Sequence, residues 1–316
     1  MPVRKLDQME EHDVVPDALA AWCRRWLGAE PARVLFRVRH LSEVTGVRLA
    51  DGRAVILKAR PPAERLRACV LVQRHLWAAG FPCPEPLAGP APLGDLAVTA
   101  EAFVPGGSRL PRAADSPRCF AQALAHLVAL APPPSSLPTL DPPPYWMQWD
   151  HDQAAPWPPD PDADLNAHLG PEWLEELARR VRRRLLQSGS LPLVVGHADW
   201  ESQNLRWVER RLYVAHDWDS VICRPEAAIA GAASIMFPAS GTLNEQATVG
   251  QSDAFLTAYA EARRRPLSDE ERELCWAAGL WVQAFKAKKA TLRADRRAVV
   301  VALAAEAAER LRRSGA

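Results

Sequence analysis

The feature that most constrains the fold of this chain is a pair of short apolar segments that each end in acidic residues. Residues 191–207 read LPLVVGHADWESQNLRW, and residues 210–220 read RRLYVAHDWDS. Each apolar run has the length of a strand and is bounded by polar residues, which is typical of a short buried strand. The sequence therefore predicts two buried strands that each lead into a polar loop.

A β-hairpin is predicted near the start of the chain. The tight-turn pair Asp51-Gly52 lies between two segments rich in β-branched residues, and such a pair is a strong hairpin signal. The returning segment, AVILK, is expected to end at Lys58. Residues 63–79 have the pattern of a helix that stops at Gly80, because FPCPEP cannot continue it. With a further strand in LAVTAEAFV, the first hundred residues predict a small antiparallel sheet with one inserted helix.

After Pro105 the pattern becomes mainly helical. Helices are predicted over residues 116–130 and 171–187 and from Ser252 onward, and SDEE at 268–271 has the form of a capping box. The segment between the first two helices is too rich in proline for regular structure. We expect it to be an ordered loop or a mobile flap, and its tryptophans indicate that part of it packs on the body.

Together these elements predict an α+β fold in two lobes. The small antiparallel β-rich lobe spans residues 1–103, and the larger, mostly helical lobe spans residues 104–316. The net charge of +1 gives no electrostatic reason to expect a nucleic acid or a membrane as partner. No apolar run reaches the about 18 residues of a transmembrane helix. The six cysteines lie apart without a CxxC pair, so we expect reduced, mostly buried thiols in a cytoplasmic protein.

The order of polar residues along the chain indicates phosphoryl transfer. That reaction needs a group that accepts a hydroxyl proton, oxygen ligands for a metal ion, and a cation that holds the phosphates. Asp199 can accept the proton, while Asn204 and Asp217 offer oxygen atoms, which Mg²⁺ prefers. Lys58, at the end of its strand, supplies the positive charge. Each residue alone has an ordinary explanation as a turn, cap or solvated residue, but their order and spacing together predict a kinase-type site.

The motif GHADWESQNLRW, followed by HDWDS, resembles the catalytic and metal-binding motifs of the aminoglycoside phosphotransferase and choline kinase family. That resemblance covers most of the chain and implies a bilobal, protein-kinase-like fold with ATP as co-substrate. It makes Asp199 the catalytic base and Asn204 and Asp217 the Mg²⁺ ligands. His197 would brace the catalytic loop through hydrogen bonds, or it could equally be a core histidine.

The resemblance also implies where a nucleotide binds in the small lobe. The segment HLSEVTGVRL stands where the family has its phosphate-covering loop, so Ser42 and the backbone of residues 43–45 are expected to contact the ATP phosphates. The segment AEAFVPGG matches the hinge between the lobes. Backbone groups of Ala102 and Val104 are therefore expected to hydrogen-bond the adenine edge, and Lys58 is expected to contact the phosphates.

One departure from the family pattern concerns the partner of Lys58. The family usually has a glutamate on the small-lobe helix that pairs with the strand lysine, whereas this helix has Val70 and Leu71 near that position. Gln73 offers a weaker partner, and Glu64 lies nearer the start of the helix. This leaves slow catalysis, a rearranged ion pair or loss of activity open, and the intact catalytic loop favours an active enzyme.

The acceptor is the least determined part of the hypothesis. Residues 141–268 contain 18 Asp and Glu against 12 Lys and Arg, which suits a cationic acceptor or a merely solvated surface. Asp219 and Glu226 are candidate acceptor contacts, and Asp219 could instead assist at the metal or order its loop. Trp276 and Trp281 could stack on a sugar, but a place in the core is the favoured interpretation.

The sequence thus predicts an ATP- and Mg²⁺-dependent O-phosphotransferase for a small molecule. An aminoglycoside or similar basic antibiotic is the favoured acceptor, which would make the protein an antibiotic-resistance enzyme. One alternative is a kinase of a primary metabolite, such as a choline-like alcohol, a sugar or an amino alcohol. Another is a catalytically silent nucleotide-binding member of the fold.

Overall fold

The structure is a computed structural model, and it describes residues 15–39, 42–168, 170–188, 191–241, 245–292 and 297–316. Its strands are β1 (Pro31–Arg39), β2 (Glu43–Leu49), β3 (Ala54–Arg60), β4 (Pro86–Leu93), β5 (Leu96–Ala102), β6 (Leu193–His197), β7 (Leu205–Val208), β8 (Arg211–Ala215) and β9 (Val221–Pro225). Its α-helices are α1 (Asp17–Leu27), α2 (Arg65–Ala78), α3 (Ser116–Leu130), α4 (Glu172–Leu186), α5 (Glu226–Met236), α6 (Val249–Ala262), α7 (Asp269–Thr291) and α8 (Arg297–Ser314). This is the α+β organisation that the sequence predicts.

The small lobe is built on one antiparallel sheet with the strand order β1-β2-β3-β5-β4. The predicted hairpin at Asp51-Gly52 joins β2 to β3, and Gly52 has a φ of +89°, a conformation that glycine adopts without strain. β3 continues to Arg60, two residues beyond the expected end at Lys58. Lys58 is therefore held inside a strand, which restricts where its ammonium group can point.

The two faces of this sheet have different roles. Val55 and Leu57 of β3 are buried in a cluster with α1, together with residues of β2, β4 and β5. Because successive side chains of a strand point to opposite faces, Lys58 and Arg60 lie on the other face. The apolar face thus anchors the sheet, and the polar face is left for the cleft.

Helix α2 packs both on the sheet and on the large-lobe core. It contacts β4 on one side and the turn at 218–220 on the other, and its buried residues Ala68, Cys69, Val72 and Leu76 are part of the main hydrophobic cluster, most of which consists of large-lobe side chains. Arg65, in the first turn, donates to the carbonyl oxygens of two residues that follow β8. The helix therefore connects the sheet that carries Lys58 with the second polar loop.

The large lobe is organised around α5, α7 and α8. Trp276 and Trp281 of α7 are 7 % and 0 % exposed, so the structure places both in the core, as the favoured interpretation has it. The capping box expected at the start of α7 is present, with Ser268 and Glu271 each accepting a hydrogen bond from the other's backbone amide. Among the described residues, no helix is both long and apolar enough to cross a membrane.

The proline-rich segment is an ordered loop that packs on this core. It contains two short 3₁₀ turns, Pro134–Ser136 and Tyr145–Met147. Trp149 and Trp157 are buried, and the indole of Trp157 donates to a carboxylate oxygen of Glu175 at 2.6 Å. Of the two expectations for this segment, the ordered loop describes it.

The crossing of α5 and α7 depends on a glycine, and we predict that replacing it destabilises the protein. A Cβ atom at Gly231 would overlap the backbone carbonyl of Cys275. Gly231→Ala is therefore expected to lower the free energy of unfolding by about 1–3 kcal/mol, because the two helices must move apart. Urea denaturation followed by circular dichroism measures the change.

Gly250→Ala is the matched control for that substitution. Gly250 lies in the first turn of α6, where a Cβ meets no heavy atom within 4 Å in the described structure. Alanine is the better helix former by about 1 kcal/mol, so this variant should be at least as stable as the parent. Equal stability of the two variants would contradict the close contact of α5 with α7.

The cysteines generate a second prediction. All six are free; Cys23, Cys69, Cys83 and Cys275 are buried, whereas Cys119 and Cys223 are half-buried. Burial raises the pKa of the Cys83 thiol to about 12 and that of Cys23 to about 11, which suppresses the reactive thiolate. A chromogenic thiol reagent at pH 8 should therefore label at most two cysteines rapidly in the native protein and all six after denaturation. Rapid labelling of four or more in the native protein would contradict the core described here.

Candidate active site

Two strand pairs bring the polar loops together. β6 pairs antiparallel with β9, and β7 pairs antiparallel with β8. Loop 198–204 joins β6 to β7, and loop 216–220 joins β8 to β9. Because both loops begin and end at paired strands, they lie side by side. The amide of His216 donates to the carbonyl oxygen of Asn204 at 2.8 Å. The HxDxxxxN motif and the following HDWD motif therefore form one site, although they lie in separate loops.

His197 holds the first loop in position. Its Nδ1 atom accepts a hydrogen bond from the amide of Asp199 at 3.1 Å, so Nε2 carries the proton and donates to the carbonyl oxygen of His216 at 3.2 Å. The ring lies between Trp200 and Trp218, with centroid distances of 5.7 and 5.8 Å. Burial lowers the pKa of His197 to about 4, which keeps the ring neutral near pH 7. The histidine is thus both buried and a brace between the two loops.

Asn204 orients Asp199. Its Nδ2 atom donates to the Oδ2 atom of Asp199 at 2.7 Å and to the backbone oxygen of the same residue at 2.9 Å. With the NH₂ group committed to Asp199, the Oδ1 atom of Asn204 remains to be offered to a metal ion. The carboxylate and the amide oxygen are thereby fixed relative to each other.

Asp199 lies in a crowded acidic environment. Burial and the neighbouring carboxylates of Glu201 and Asp217 raise the pKa of Asp199 well above its ordinary value, while Lys286 acts in the opposite direction. Lys286 extends from α7 and lies 2.6 Å from Glu201, measured from Nζ to Oε1. Because a raised pKa increases proton affinity, Asp199 is suited to accept a proton from a hydroxyl group.

Asp217 is held at the start of the second loop in a left-handed conformation, with a φ of +68°. Its Oδ2 atom accepts from the hydroxyl of Ser220 at 3.2 Å, and its Oδ1 atom is 3.7 Å from Nζ of Lys58. Burial alone would raise the pKa of this carboxyl, but Lys58 and other cationic groups nearby outweigh burial and lower it. Asp217 is thus kept ionised, and such strained backbone is common at functional sites.

The donors present fit a metal ion that is held jointly with phosphates. Asn204 and Asp217 supply one amide oxygen and one carboxylate, both of them hard oxygen donors. No group of three or more His, Cys, Asp or Glu that could hold a metal ion by itself exists among the described residues. Mg²⁺ commonly takes one or two carboxylates plus substrate phosphates and water, rather than an all-protein cage. The site therefore suits a metal ion that arrives with a nucleotide.

Lys58 has a carboxylate partner on its own sheet. Its Nζ atom is 3.6 Å from Oε1 of Glu101 on β5. Neither residue considered from the sequence pairs with the lysine: Gln73 donates instead to Oε2 of Glu101 at 2.9 Å, and Glu64 is exposed before the first turn of α2. The rearranged ion pair is thus the alternative that the structure supports.

Asp219 faces the small lobe. Its carboxylate forms an ion pair with Arg60 of β3 and lies 3.9 Å from Nζ of Lys58. Its backbone oxygen accepts from Arg65 of α2 at 2.5 Å. These contacts tie the second loop to the small lobe and support the loop-ordering alternative for Asp219, and its contact with an acceptor stays a prediction.

Glu226, whose contact with an acceptor stays a prediction, lies beyond the end of β9 that is away from the catalytic loop. It follows Pro225, which pairs with Leu193 at the end of β6 away from the catalytic loop. The other end of this strand pair, where Val221 pairs with His197, is the end next to the catalytic loop. Pro225 lies four residues beyond Val221, which corresponds to roughly 13 Å along a strand. Its carboxylate accepts from Arg263 at 2.7 Å and from the hydroxyl of Tyr259 at 2.9 Å. Closeness to the metal motif in sequence is misleading here because the intervening strand runs away from the site.

The expected hinge follows β5 directly. The amide of Ala102 donates to the carbonyl oxygen of Glu85 at 2.8 Å, so this amide is not free to bind an adenine edge. The backbone of Val104 follows the end of β5 and has no backbone hydrogen-bond partner among the described residues. An acceptor at Ala102 and a donor at Val104 would match the edge of adenine.

The phosphate-covering loop is described only in part. Ser42 is half-buried and lies immediately before β2, and residues 43–45 form the start of that strand. His40 and Leu41 of the expected loop lie outside the described residues. Ser42 therefore remains a candidate phosphate contact from its place next to the strand that pairs with Lys58.

Sequence reasoning missed Glu101, Glu201 and Lys286. Glu101 is the one charged residue of β5. Its position could point to an ion pair with Lys58 only once β3 is known to be the neighbouring strand. Lys286 is the first of three closely spaced lysines near the end of α7, and it pairs with Glu201 across 85 residues. Their contacts depend on pairings between distant segments.

Comparisons with known proteins agree with this geometry. A model of the phosphotransferase enzyme family (APH) matches residues 37–221, which is more than half of the chain. The amicoumacin kinase hAmiN, solved in complex with AMP-PNP, Ca²⁺ and Ami, is 14 % identical with a TM-score of 0.60, covering 88 % of each chain. A thermostable mutant of the aminoglycoside phosphotransferase APH(4)-Ia, in a ternary complex with ADP and hygromycin B, is 15 % identical with a TM-score of 0.59, covering 95 % of this chain and 99 % of that one.

A choline/ethanolamine kinase family protein from Mesorhizobium loti is 17 % identical with a TM-score of 0.51, covering 93 % of each chain. No curated protein sequence matches the chain. At these identities the solved structures show the fold alone, and they confirm the predicted bilobal, protein-kinase-like fold. The family match and the assembled site lead to one conclusion: the chain belongs to the phosphotransferase enzyme family, as an ATP-dependent small-molecule phosphotransferase.

Proposed function

We propose that this protein transfers the γ-phosphoryl group of ATP to a hydroxyl group of a small molecule, with Asp199 as the catalytic base. The observation that carries the proposal is the convergence of Asp199, Asn204, Asp217 and Lys58 on one cleft. Asn204 contacts Asp199 at 2.7 Å, and Lys58 lies 3.7 Å from Asp217. Positioning and charge neutralisation are most of what phosphoryl transfer asks of a protein.

The roles of the protein groups follow from their surroundings. Asp199 orients the acceptor hydroxyl and takes its proton on a carboxylate oxygen. Lys58 holds the phosphates from the side of the small lobe. Asn204 and Asp217 would hold Mg²⁺, which would supply positive charge against the negative charge that develops on the phosphates. His197 positions the loop through its two hydrogen bonds and, being neutral, adds no charge.

An aminoglycoside or similar basic antibiotic is the acceptor proposed first, because the large-lobe segment 141–268 is acidic. Several of its carboxylates already form ion pairs within the protein, and these are not available to a cationic acceptor. Asp160 and Asp162 contact Lys289, and Asp150 contacts Arg224. The charge left for a cationic acceptor is therefore smaller than the composition indicates.

A kinase of a primary metabolite is the second candidate. A cavity of about 500 Å³ borders the catalytic loop at Ser202, and its lining includes Arg109 and Arg112 against Glu245. Arg112 and Glu245 form an ion pair at 2.7 Å. This lining supports a neutral or anionic alcohol, such as a sugar, at least as well as a polycation. The third alternative was a catalytically silent protein, suggested by the missing helix glutamate. The carboxylate of Glu101 pairs with Lys58 in its place, so this reason for expecting an inactive protein no longer holds.

Screening acceptors by mass spectrometry tests the proposal. The protein would be incubated with MgATP and a panel of aminoglycosides, other basic antibiotics, macrolides, choline-like alcohols and sugars. A gain of one phosphoryl group on one panel member would identify the acceptor class. If the protein neither bound MgATP nor consumed it with any acceptor or with water, the proposed activity would be wrong.

Asp199→Asn tests the catalytic base. Removing the proton acceptor while keeping the side-chain shape should lower kcat by roughly 10²–10⁴-fold. The change in KM for MgATP should be small, because Asp199 is proposed to act on the acceptor. Asp95→Asn, an exposed carboxylate between β4 and β5, is the control and should match the parent. Undiminished turnover by Asp199→Asn would contradict the assignment.

Asp217→Asn tests the metal site. In the parent, Mg²⁺ should strengthen the binding of AMP-PNP and raise the melting temperature further than AMP-PNP with EDTA, because a ligand stabilises the state that it binds. In Asp217→Asn that additional shift should largely vanish. Adenosine has no phosphates to share a metal ion, so its binding should be the same in both proteins and serves as the control. An equal effect of Mg²⁺ in parent and variant would show that Asp217 does not bind the metal ion.

A further inference from the structure

The position of Lys58 depends on a carboxylate that the small-lobe helix does not supply. The register of β3 with β5 sets Lys58 opposite Thr99, and Glu101 lies two residues farther along the same strand. Residues two apart in a strand share a face, so Lys58 and Glu101 are diagonal neighbours on the polar face of the sheet. Their side chains meet at 3.6 Å, from Nζ to Oε1, and are 12 % and 9 % exposed.

The second oxygen of Glu101 is held by helix α2. The Nε2 atom of Gln73 donates to Oε2 of Glu101 at 2.9 Å and to the carbonyl oxygen of Pro84 at 3.0 Å. Both amide hydrogens of Gln73 are thus used, and Oε1 of Glu101 is left facing Lys58. Gln73 as a whole residue is 4 % exposed, and Glu101 is buried as well, so this chain of contacts is shielded from water.

A buried carboxylate needs such partners. An ionised group removed from water without a partner is strongly unfavourable, whereas one that is paired and hydrogen-bonded is tolerated. Glu101 has both a cation and a hydrogen-bond donor in Lys58 and Gln73. Lys58 also lies near Asp217 and Asp219, at 3.7 and 3.9 Å. Without Glu101, these two carboxylates would draw the ammonium group toward the metal ligands.

We propose that Glu101 is the residue that positions Lys58 for phosphate binding, and that Gln73 acts through Glu101 by fixing the orientation of its carboxylate. The inference rests on the proposed phosphotransferase function, in which Lys58 holds the phosphates. Glu101 does not touch the nucleotide phosphates in this proposal; it is a positioning residue. The carboxylate that usually lies on the helix is thus replaced by one on β5.

The arrangement has a mechanical consequence. Lys58 and Glu101 lie on β3 and β5, which are adjacent strands of one sheet. A pair made by two side chains of one sheet moves with that sheet. The register of β3 with β5 therefore sets the distance between Lys58 and Glu101, and the contact of Gln73 adds the orientation of the carboxylate.

Glu101→Gln is the central test. It removes the charge and keeps the size of the side chain, so Lys58 should shift toward Asp217 and Asp219. Misplacement of a group by about 1 Å can cost roughly 100-fold in rate, and we expect a loss of that order in kcat/KM for MgATP turnover. Turnover would be measured with the acceptor found in the panel, or with water as acceptor if none is found.

Nucleotide binding separates a positioning role from a structural one. Lys58 is proposed to contact phosphates only, so Glu101→Gln should weaken the binding of ADP and AMP-PNP and leave the affinity for adenosine unchanged. The melting temperature of the free protein is measured beside these affinities. Equal losses for adenosine and ADP, together with a lower melting temperature, would overturn the proposal, because they would indicate a damaged lobe.

Glu85→Gln is the matched control. It makes the same change in charge in the same lobe, at a half-buried carboxylate for which the described residues give no hydrogen-bond or ion-pair partner. This variant should keep the turnover of the parent. If Glu101→Gln were no slower than Glu85→Gln, Glu101 would have no positioning role.

A charge exchange completes the test and covers the case in which Glu101→Gln does not fold. In the double variant Gln73→Glu with Glu101→Gln, the carboxylate returns to the helix inside the same small cavity, whose lining includes Lys58, Gln73 and Glu101. We expect its kcat/KM to lie within roughly tenfold of the parent, a comparison that does not require Glu101→Gln to fold. A double variant that folds and is about 100-fold slower than the parent would overturn the proposal. An inactive parent would instead count against the proposed function.

Discussion

The electrostatics of one cleft is the constraint on which the rest of this structure depends. Five carboxylates converge there (Glu101, Asp199, Glu201, Asp217 and Asp219), with Lys58, Arg60 and Lys286 as the cationic side chains among them. Buried like charges repel strongly, so each acid requires a fixed partner. The excess of negative charge that remains lies around Asp199 and Asp217, where a divalent cation and its phosphates would be accommodated.

The fold supplies these partners from elements that are far apart in sequence. Lys58 and Arg60 come from the polar face of the small-lobe sheet, while Lys286 comes from α7 near the other end of the chain. Helix α2 contributes Arg65, which holds the backbone of the second loop. The apolar packing of α1 on one side of the sheet and of α5 against α7 in the large lobe keeps these elements in register. Catalytic geometry and hydrophobic cores are therefore interdependent.

Much of this could be predicted from the sequence because the signals are local. The hairpin at Asp51-Gly52, the helices near residues 116–130 and 171–187 and the capping box at Ser268 all follow from turn, cap and periodicity rules within short windows. Positions relative to the site could not be predicted from proximity along the chain. Glu226 follows the metal motif closely, but β9 carries it to the far end of its strand pair.

The sequence by itself determined the fold class and the place of the HxDxxxxN loop between two strands, because that spacing and the strands around it are properties of consecutive residues. It also determined that the usual helix glutamate is missing. Only the tertiary structure decided what replaces that glutamate, since the contact of Lys58 with Glu101 arises from the register between β3 and β5, which are more than thirty residues apart in the chain. The partners of Gln73 and Lys286 were decided in the same way, because side-chain contacts across elements are set by packing and burial and not by local pattern.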